Sequence, residues 1–259
     1  MHIIDLSAPV DATFDEPDPV RHEILSPRDG ALHMSEEMRL HFGIEFDPEV
    51  LPDGEFLSLD RMSLTTHTGT HVDAPSHYGS RASYGNGVPK NVDELPLDWF
   101  FRPAMVLDLT DAGTGVIGAD RLEKEFVRIG HRPEPYEIVL LHTGASAFAG
   151  TRRYFTDFAG LDGPAVHLLL DLGVRVIGTD AFSLDAPFGD IIGRYQRSGD
   201  PSVLWPAHFV GRDREYCQIE RLANLGALPR SHGFRVACFP IKIRGAGAGW
   251  TRAVALLDT

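Results

Sequence analysis

Basic residues are scarce in this sequence: 24 lysines and arginines stand against 37 aspartates and glutamates, a formal net charge of −13 at pH 7. Such a chain repels phosphate backbones, and no basic stripe offsets the excess locally, so nucleic acid is not an expected partner. Cysteine is almost absent as well. Cys217 and Cys238 lie far apart and form no C-x-x-C pair, which fits reduced thiols acting as small hydrophobes in buried strands. Long apolar runs are missing, and nothing approaches the roughly 18 consecutive apolar residues of a membrane span. Nor do the first residues, Met1 to Ser7, join a basic start to a long apolar stretch. No secretory leader is therefore expected, and a cytoplasmic location is the default.

What the chain does contain is the composition of a globular protein, 43% hydrophobic and 24% charged over 259 residues, enough to bury one substantial core. A single domain, 1–259, is expected. His2 to Leu6 reads as a first strand. The next fifty or so residues are dominated by loop signals such as Glu16-Pro17-Asp18-Pro19 and Pro52-Asp53-Gly54, broken by one short helix with Ser35 as N-cap and Gly43 beyond its end. Phe56 to Thr66 alternates loosely like a strand. Beyond it, strands at 104–109, 138–141 and 174–177 alternate with helices at 119–129 and 164–172, which argues an α/β fold with a mixed, partly parallel sheet. Trp99-Phe100-Phe101 reads as core or subunit interface. Two tail strands, 234–243 and 250–257, are expected to pair through a hairpin loop at Gly245-Ala246-Gly247-Ala248-Gly249.

Histidine is where the chemistry gathers. Between residues 67 and 77 the chain reads His67-Thr68-Gly69-Thr70-His71-Val72-Asp73-Ala74-Pro75-Ser76-His77. Neutral imidazole and carboxylate suit Zn²⁺ and Mn²⁺, and a set of three protein ligands leaves coordination positions open for water or substrate. A helix is disfavoured here by Gly69, by β-branched Thr68, Thr70 and Val72, and by Pro75. On an extended strand end, His71 and Asp73 are two apart and share a face, and a turn at Gly69 can return His67 to the same point. Gly144-Ala145-Ser146-Ala147-Phe148 fails as a nucleophile elbow at its last position, so a serine hydrolase is disfavoured. Asp180 and Asp185 follow the strand that ends at Ile177, and read either as shaping a pocket or as turn residues.

The H-x-G-T-H-x-D-x-P-x-H pattern, matched here at all seven defined positions, resembles the signature of the cyclase family that includes bacterial kynurenine formamidases and isatin hydrolases. Ile3 to Ser7, Ile177-Gly178-Thr179-Asp180, and the run from His208 through Glu220 to Leu225 resemble that family too. The likeness covers nearly the whole chain apart from about residues 11 to 55, an apparent insertion or lid. It implies a swivelling β/β/α fold and a homo-oligomer, dimer or tetramer. It also implies a second metal position on His208 and Glu220, which keep the family's twelve-residue spacing.

The expected activity is hydrolysis of a small amide, formamide or cyclic amide by a metal-bound hydroxide. His67, His71 and Asp73 would hold one divalent ion, Mn²⁺ or Zn²⁺, and His208 and Glu220 a second or a set of groups that orient the ligands. His77 would shuttle the proton to the leaving nitrogen. The extra segment favours lactam-opening relatives over plain kynurenine formamidase. Two alternatives keep the same residues: cyclisation or dehydration of a polyketide-like intermediate, and a non-catalytic metal- or ligand-binding module.

Overall fold

The computed structural model describes residues 1–257, which divide into two compact units: Met1–Val10 with everything from Thr66 onward, and Asp11–Thr65. The larger unit is built on a nine-stranded mixed sheet. Its strands are β1 (His2–Asp5), β4 (His71–Asp73), β5 (Phe101–Asp108), β7 (Ile138–His142), β9 (Val176–Thr179), β10 (Cys217–Glu220), β11 (His232–Ala237), β12 (Ala248–Trp250) and β13 (Val254–Leu257). They lie side by side in the order β1-β13-β11-β5-β7-β9-β10-β4-β12. The run β5-β7-β9-β10 is parallel and the flanking pairs are antiparallel. Two further strands, β6 (Gly115–Ile117) and β8 (Ala159–Leu161), form a separate parallel pair.

Both faces of the large sheet are buried, as the near-continuous apolar runs of its central strands require. Ala104, Val106, Ile138, Leu140 and Val176 point into one cluster with Leu6, Phe100 and Val236. Their alternates Met105, Leu107, Val139, Leu141 and Ile177 point into another, closed by Leu122 and Phe126 of α2 (Ala119–Ile129) and by Val166 and Leu169 of α3 (Gly163–Asp171). The remaining helices of this unit are α4 (Phe188–Ser198) and α5 (Pro206–Val210). No helix among the described residues is long and apolar enough to cross a membrane.

The tail keeps the expected antiparallel pairing, β11 with β13, but not the expected hairpin loop, because the glycine run leads into a separate strand, β12. β12 pairs with β4 at one edge of the sheet, whereas β13 lies between β1 and β11 at the other. Only residues 251–253 connect them, and three extended residues reach roughly 10 Å. The sheet must therefore curl until its edges nearly meet. Hydrogen bonds across the seam show this: Ala223 N donates to Leu6 O at 2.8 Å, and Ala8 N to Thr70 Oγ1 at 2.8 Å. The glycine run packs against the 67–77 segment instead of closing a hairpin, with Ala74 N donating to Gly247 O at 2.8 Å.

In the smaller unit, β2 (Arg21–Leu25) pairs antiparallel with β3 (Leu59–Ser63), and α1 spans Pro27–Glu37. The helix starts well before the expected Ser35, because Ser26 caps it, accepting from Asp29 N, and Pro27 supplies the preset first turn. Ser35 sits inside the helix and its hydroxyl donates to Phe46 O. Gly43 does end the helical run in a left-handed conformation, φ 65°. Strand β3 is shorter than the expected Phe56–Thr66, stops four residues before His67, and is exposed throughout.

Candidate metal centre

The motif occupies β4 and the turns at either end of it. Gly69 takes φ +67° and folds the chain back, so that His67 Nδ1 comes within 3.2 Å of His71 Nε2 and 3.0 Å of Asp73 Oδ1. His71 and Asp73 share a face of β4 while Val72 points into the core opposite. His71 Nδ1 contacts Gly69 O at 2.9 Å, which leaves Nε2 facing Asp73 Oδ1 at 3.3 Å. Pro75 then opens a single 3₁₀ turn, Pro75–Tyr78, that carries His77 back over the strand, its ring 4.3 Å from that of His67.

Glu220 arrives from the neighbouring strand. It stands opposite His71 in the antiparallel β4–β10 register, and cross-strand partners project to the same face, which places Glu220 Oε2 3.7 Å from His71 Nε2. His208 comes from α5. Its Nε2 lies 3.9 Å from Asp73 Oδ2 and 3.8 Å from Glu220 Oε1. Every residue expected at the site from the sequence therefore converges here, but the partition differs from the expected one. Two groups present donor atoms within 4.8 Å of one another: His71, Asp73 and Glu220, and His67, Asp73 and His77. Asp73 belongs to both.

The donor chemistry fits a divalent cation. Asp73 is fully buried, yet no hydrogen-bond donor is aligned on either oxygen; His67 and His71 approach Oδ1 without the direction of a hydrogen bond. Leaving buried carboxylate oxygens unsatisfied is costly unless another positive group takes the lone pairs. The titration behaviour carries the same demand. Burial alone would raise the Asp73 pKa, but the surrounding imidazoles of His71 and His77 pull it well below the usual carboxylate range. Burial and the facing Asp73 raise Glu220. Burial opposes charge on His208, but a hydrogen bond to Asp185 and the facing carboxylates push its pKa up to about 9. Burial lowers His77 to about 4, so that ring is neutral with a lone pair to offer.

Over this cluster stands a cavity of about 360 Å³ whose far wall the sequence did not disclose. Phe182, Phe188 and Trp205 stack edge to face in series, with centroids 5.8 and 5.3 Å apart, and Phe209, Tyr78, Ser183 and Arg221 complete the lining. Trp205 is held in the left-handed region, φ 44°, a conformation costly for a bulky residue and concentrated at functional sites. Ser146 is not among the residues lining this cavity; its hydroxyl donates to Asp180 at 3.2 Å, and Asp180 also accepts from Thr143 and Gly144.

The sequence profile of the family described as "Putative cyclase" matches residues 4–186. A kynurenine formamidase from Salinibacter ruber (strain DSM 13855 / M31) is 29% identical over 202 residues, spanning 78% of this chain and 81% of the relative. Another from Maricaulis maris (strain MCS10) is 28% identical over 198 residues, spanning 76% and 80%. Among solved structures, isatin hydrolase A from Ralstonia solanacearum is similar with a TM-score of 0.74 at 23% identity, covering 99% of this chain and 92% of that one. At that identity the likeness bears on the fold alone.

Proposed function

The chain belongs to the putative cyclase family, and from that membership we propose that it is a metal-dependent hydrolase of small amides, with an aromatic formamide or ring-fused lactam as substrate. The observation that carries this reading is the convergence of His67, His71, Asp73, His77, His208 and Glu220 beneath one cavity walled by aromatic rings. The curated relatives named above are formamidases, enzymes that break an amide bond.

In this reading His67, His71, Asp73, His208 and Glu220 would hold one or two divalent cations, Zn²⁺ or Mn²⁺, with Asp73 common to both donor groups. The bound ion supplies a water of lowered pKa and polarises the substrate carbonyl. Phe182, Phe188 and Trp205 take the flat ring of the substrate and fix its carbonyl against the donors. Water adds to the carbonyl carbon and the C–N bond breaks. His77, kept neutral by burial, accepts the proton of that water and passes it to the leaving nitrogen.

A second role for His77 has its own support, since it stands in one donor group with His67 and Asp73. Metal content of His77→Ala separates the two roles: unchanged content with kcat lowered about 10²- to 10⁴-fold marks a proton carrier, and lost metal marks a ligand.

The test of the overall reading is a panel of N-formyl anilines, ring-fused lactams and open-chain cyclisation substrates, offered to chelator-treated protein with and without Zn²⁺ or Mn²⁺. Cation-dependent release of amine or opened ring is expected. A product lighter than its substrate by one water would establish the cyclase alternative instead, and turnover of none of them by loaded protein would overturn the proposal.

A further inference from the structure

One buried carboxylate beside the centre has no place in either donor group. Asp185 is fully buried, and each of its oxygens is committed. Oδ1 accepts from the backbone N–H of Ala207 at 2.7 Å, and Oδ2 from that of His208 at 3.1 Å. Oδ2 also lies 2.5 Å from His208 Nδ1. A neutral imidazole has one N–H, and a carboxylate is an acceptor only, so this contact requires the proton on Nδ1. The lone pair is then on Nε2, the atom that faces Asp73 and Glu220.

The residue before it acts on the other donor brought in from outside the motif. Leu184 N donates to Glu220 Oε1 at 2.8 Å. Consecutive residues of one loop thus hold both, one through an N–H and one through a carboxylate. The loop is fixed from outside as well. Gly160 packs so closely that a Cβ there would stand 2.1 Å from the Asp185 carbonyl carbon.

We propose that Asp185 is a positioning residue that locks His208 in its Nδ1–H form and aims Nε2 at a cation shared with Asp73 and Glu220. Carboxylates behind ligand imidazoles do this in metal sites generally, and their loss costs about 10- to 100-fold in affinity. The cation part rests on the function proposed above; the proton's position on His208 does not. A purely structural role, capping the first turn of α5, makes a different forecast. In Asp185→Ala no acceptor remains for Nδ1–H, and Asp73 and Glu220, which face Nε2, draw the ring proton there.

The test uses the full chain with ¹⁵N-labelled histidine, metal-free at pH 10, with His208 assigned by its loss in His208→Gln, and Zn²⁺ titration of the same proteins. Wild type is expected to carry the proton on Nδ1, and Asp185→Ala to carry it on Nε2 and bind its weakest Zn²⁺ about 10- to 100-fold less tightly. A proton on Nε2 in wild type overturns the proposal, as does wild-type Zn²⁺ affinity in a folded Ala variant. Should that variant not fold, or should no Zn²⁺ bind, the wild-type proton position alone decides. Failure of amide hydrolysis leaves both readouts intact and counts only against the function.

Discussion

His71 Nδ1 lies 2.9 Å from the carbonyl oxygen of Gly69, two residues before it, so the turn that brings His67 back also sets which nitrogen of His71 faces the carboxylates. Both effects depend on Gly69 standing at φ +67°. A Cβ there would also sit 2.9 Å from Val10 Cγ2. Gly69→Ala is therefore expected to cost about 1–2 kcal/mol of stability from the left-handed backbone alone. It should weaken Zn²⁺ binding further, because the donors shift with the turn. Denaturant unfolding with and without Zn²⁺ checks both; unchanged affinity would separate the turn from the site.

Removing metal should abolish amide hydrolysis, and adding Zn²⁺ or Mn²⁺ should restore it. Glu220→Gln is the sharper variant. It keeps the side chain's size and one oxygen for Leu184 N but removes a charge from the His71–Asp73–Glu220 group. Metal per chain, measured after identical dialysis, is expected to fall relative to wild type. Equal content would place Glu220 outside the donors.

The metal-free protein should lose stability as pH rises from 6.5 to about 9. His67 and His208 both have folded-state pKa values above the ordinary 6.5, His208 at about 9. Across that interval the folded chain holds protons that the unfolded chain has released, so the contribution of these two groups is full below 6.5 and declines as pH climbs through the folded values. His208→Gln should flatten the decline. Saturating Zn²⁺ should also suppress it, since the cation then supplies the positive charge. Unfolding midpoints at stepped pH, with chelator and with Zn²⁺, measure each limb.

Trp205→Ala should raise KM for aromatic amides about tenfold or more while bound metal stays at the wild-type level. Trp205 lines the cavity through its contact with Phe188 and is not among the donors. A small aliphatic formamide should lose much less. If aromatic and aliphatic substrates suffer alike, the rings do not set specificity.

Local signals carried the sequence reading furthest. Helix α2 lies at the expected 119–129 because Leu122 and Phe126 repeat at helical spacing before a left-handed Gly130. Strands β5 and β7 were marked by apolar runs that the structure buries on both faces. The motif donors converge because a strand face and one glycine turn suffice to gather them. What was hidden depends on pairings distant in sequence. Nothing near Glu220 says that it stands opposite His71, and nothing near Asp185 says that α5 will bring His208 against it. The aromatic wall spreads over residues 182 to 209 with no common period, so it exists only once α4 and α5 have packed. The split of β12 from β13 was missed for a related reason, since Thr251 to Ala253 look like strand until the sheet's curl requires a crossing there.

The donors come from β4, from the turns flanking it, from α5 and from β10, so residues near 70 meet residues near 220 only in the native pairing. A register slip of a single residue between β4 and β10 would turn His71 and Asp73 to the opposite side of the sheet. An unfolded or misregistered chain therefore offers a cation little more than isolated imidazoles. Any ion held by the full set acts as a ligand of the native state alone, adding about 2.7 kcal/mol when its free concentration is about 100 times Kd. Supply of metal would then govern how much folded protein a cell retains, as well as how fast that protein works.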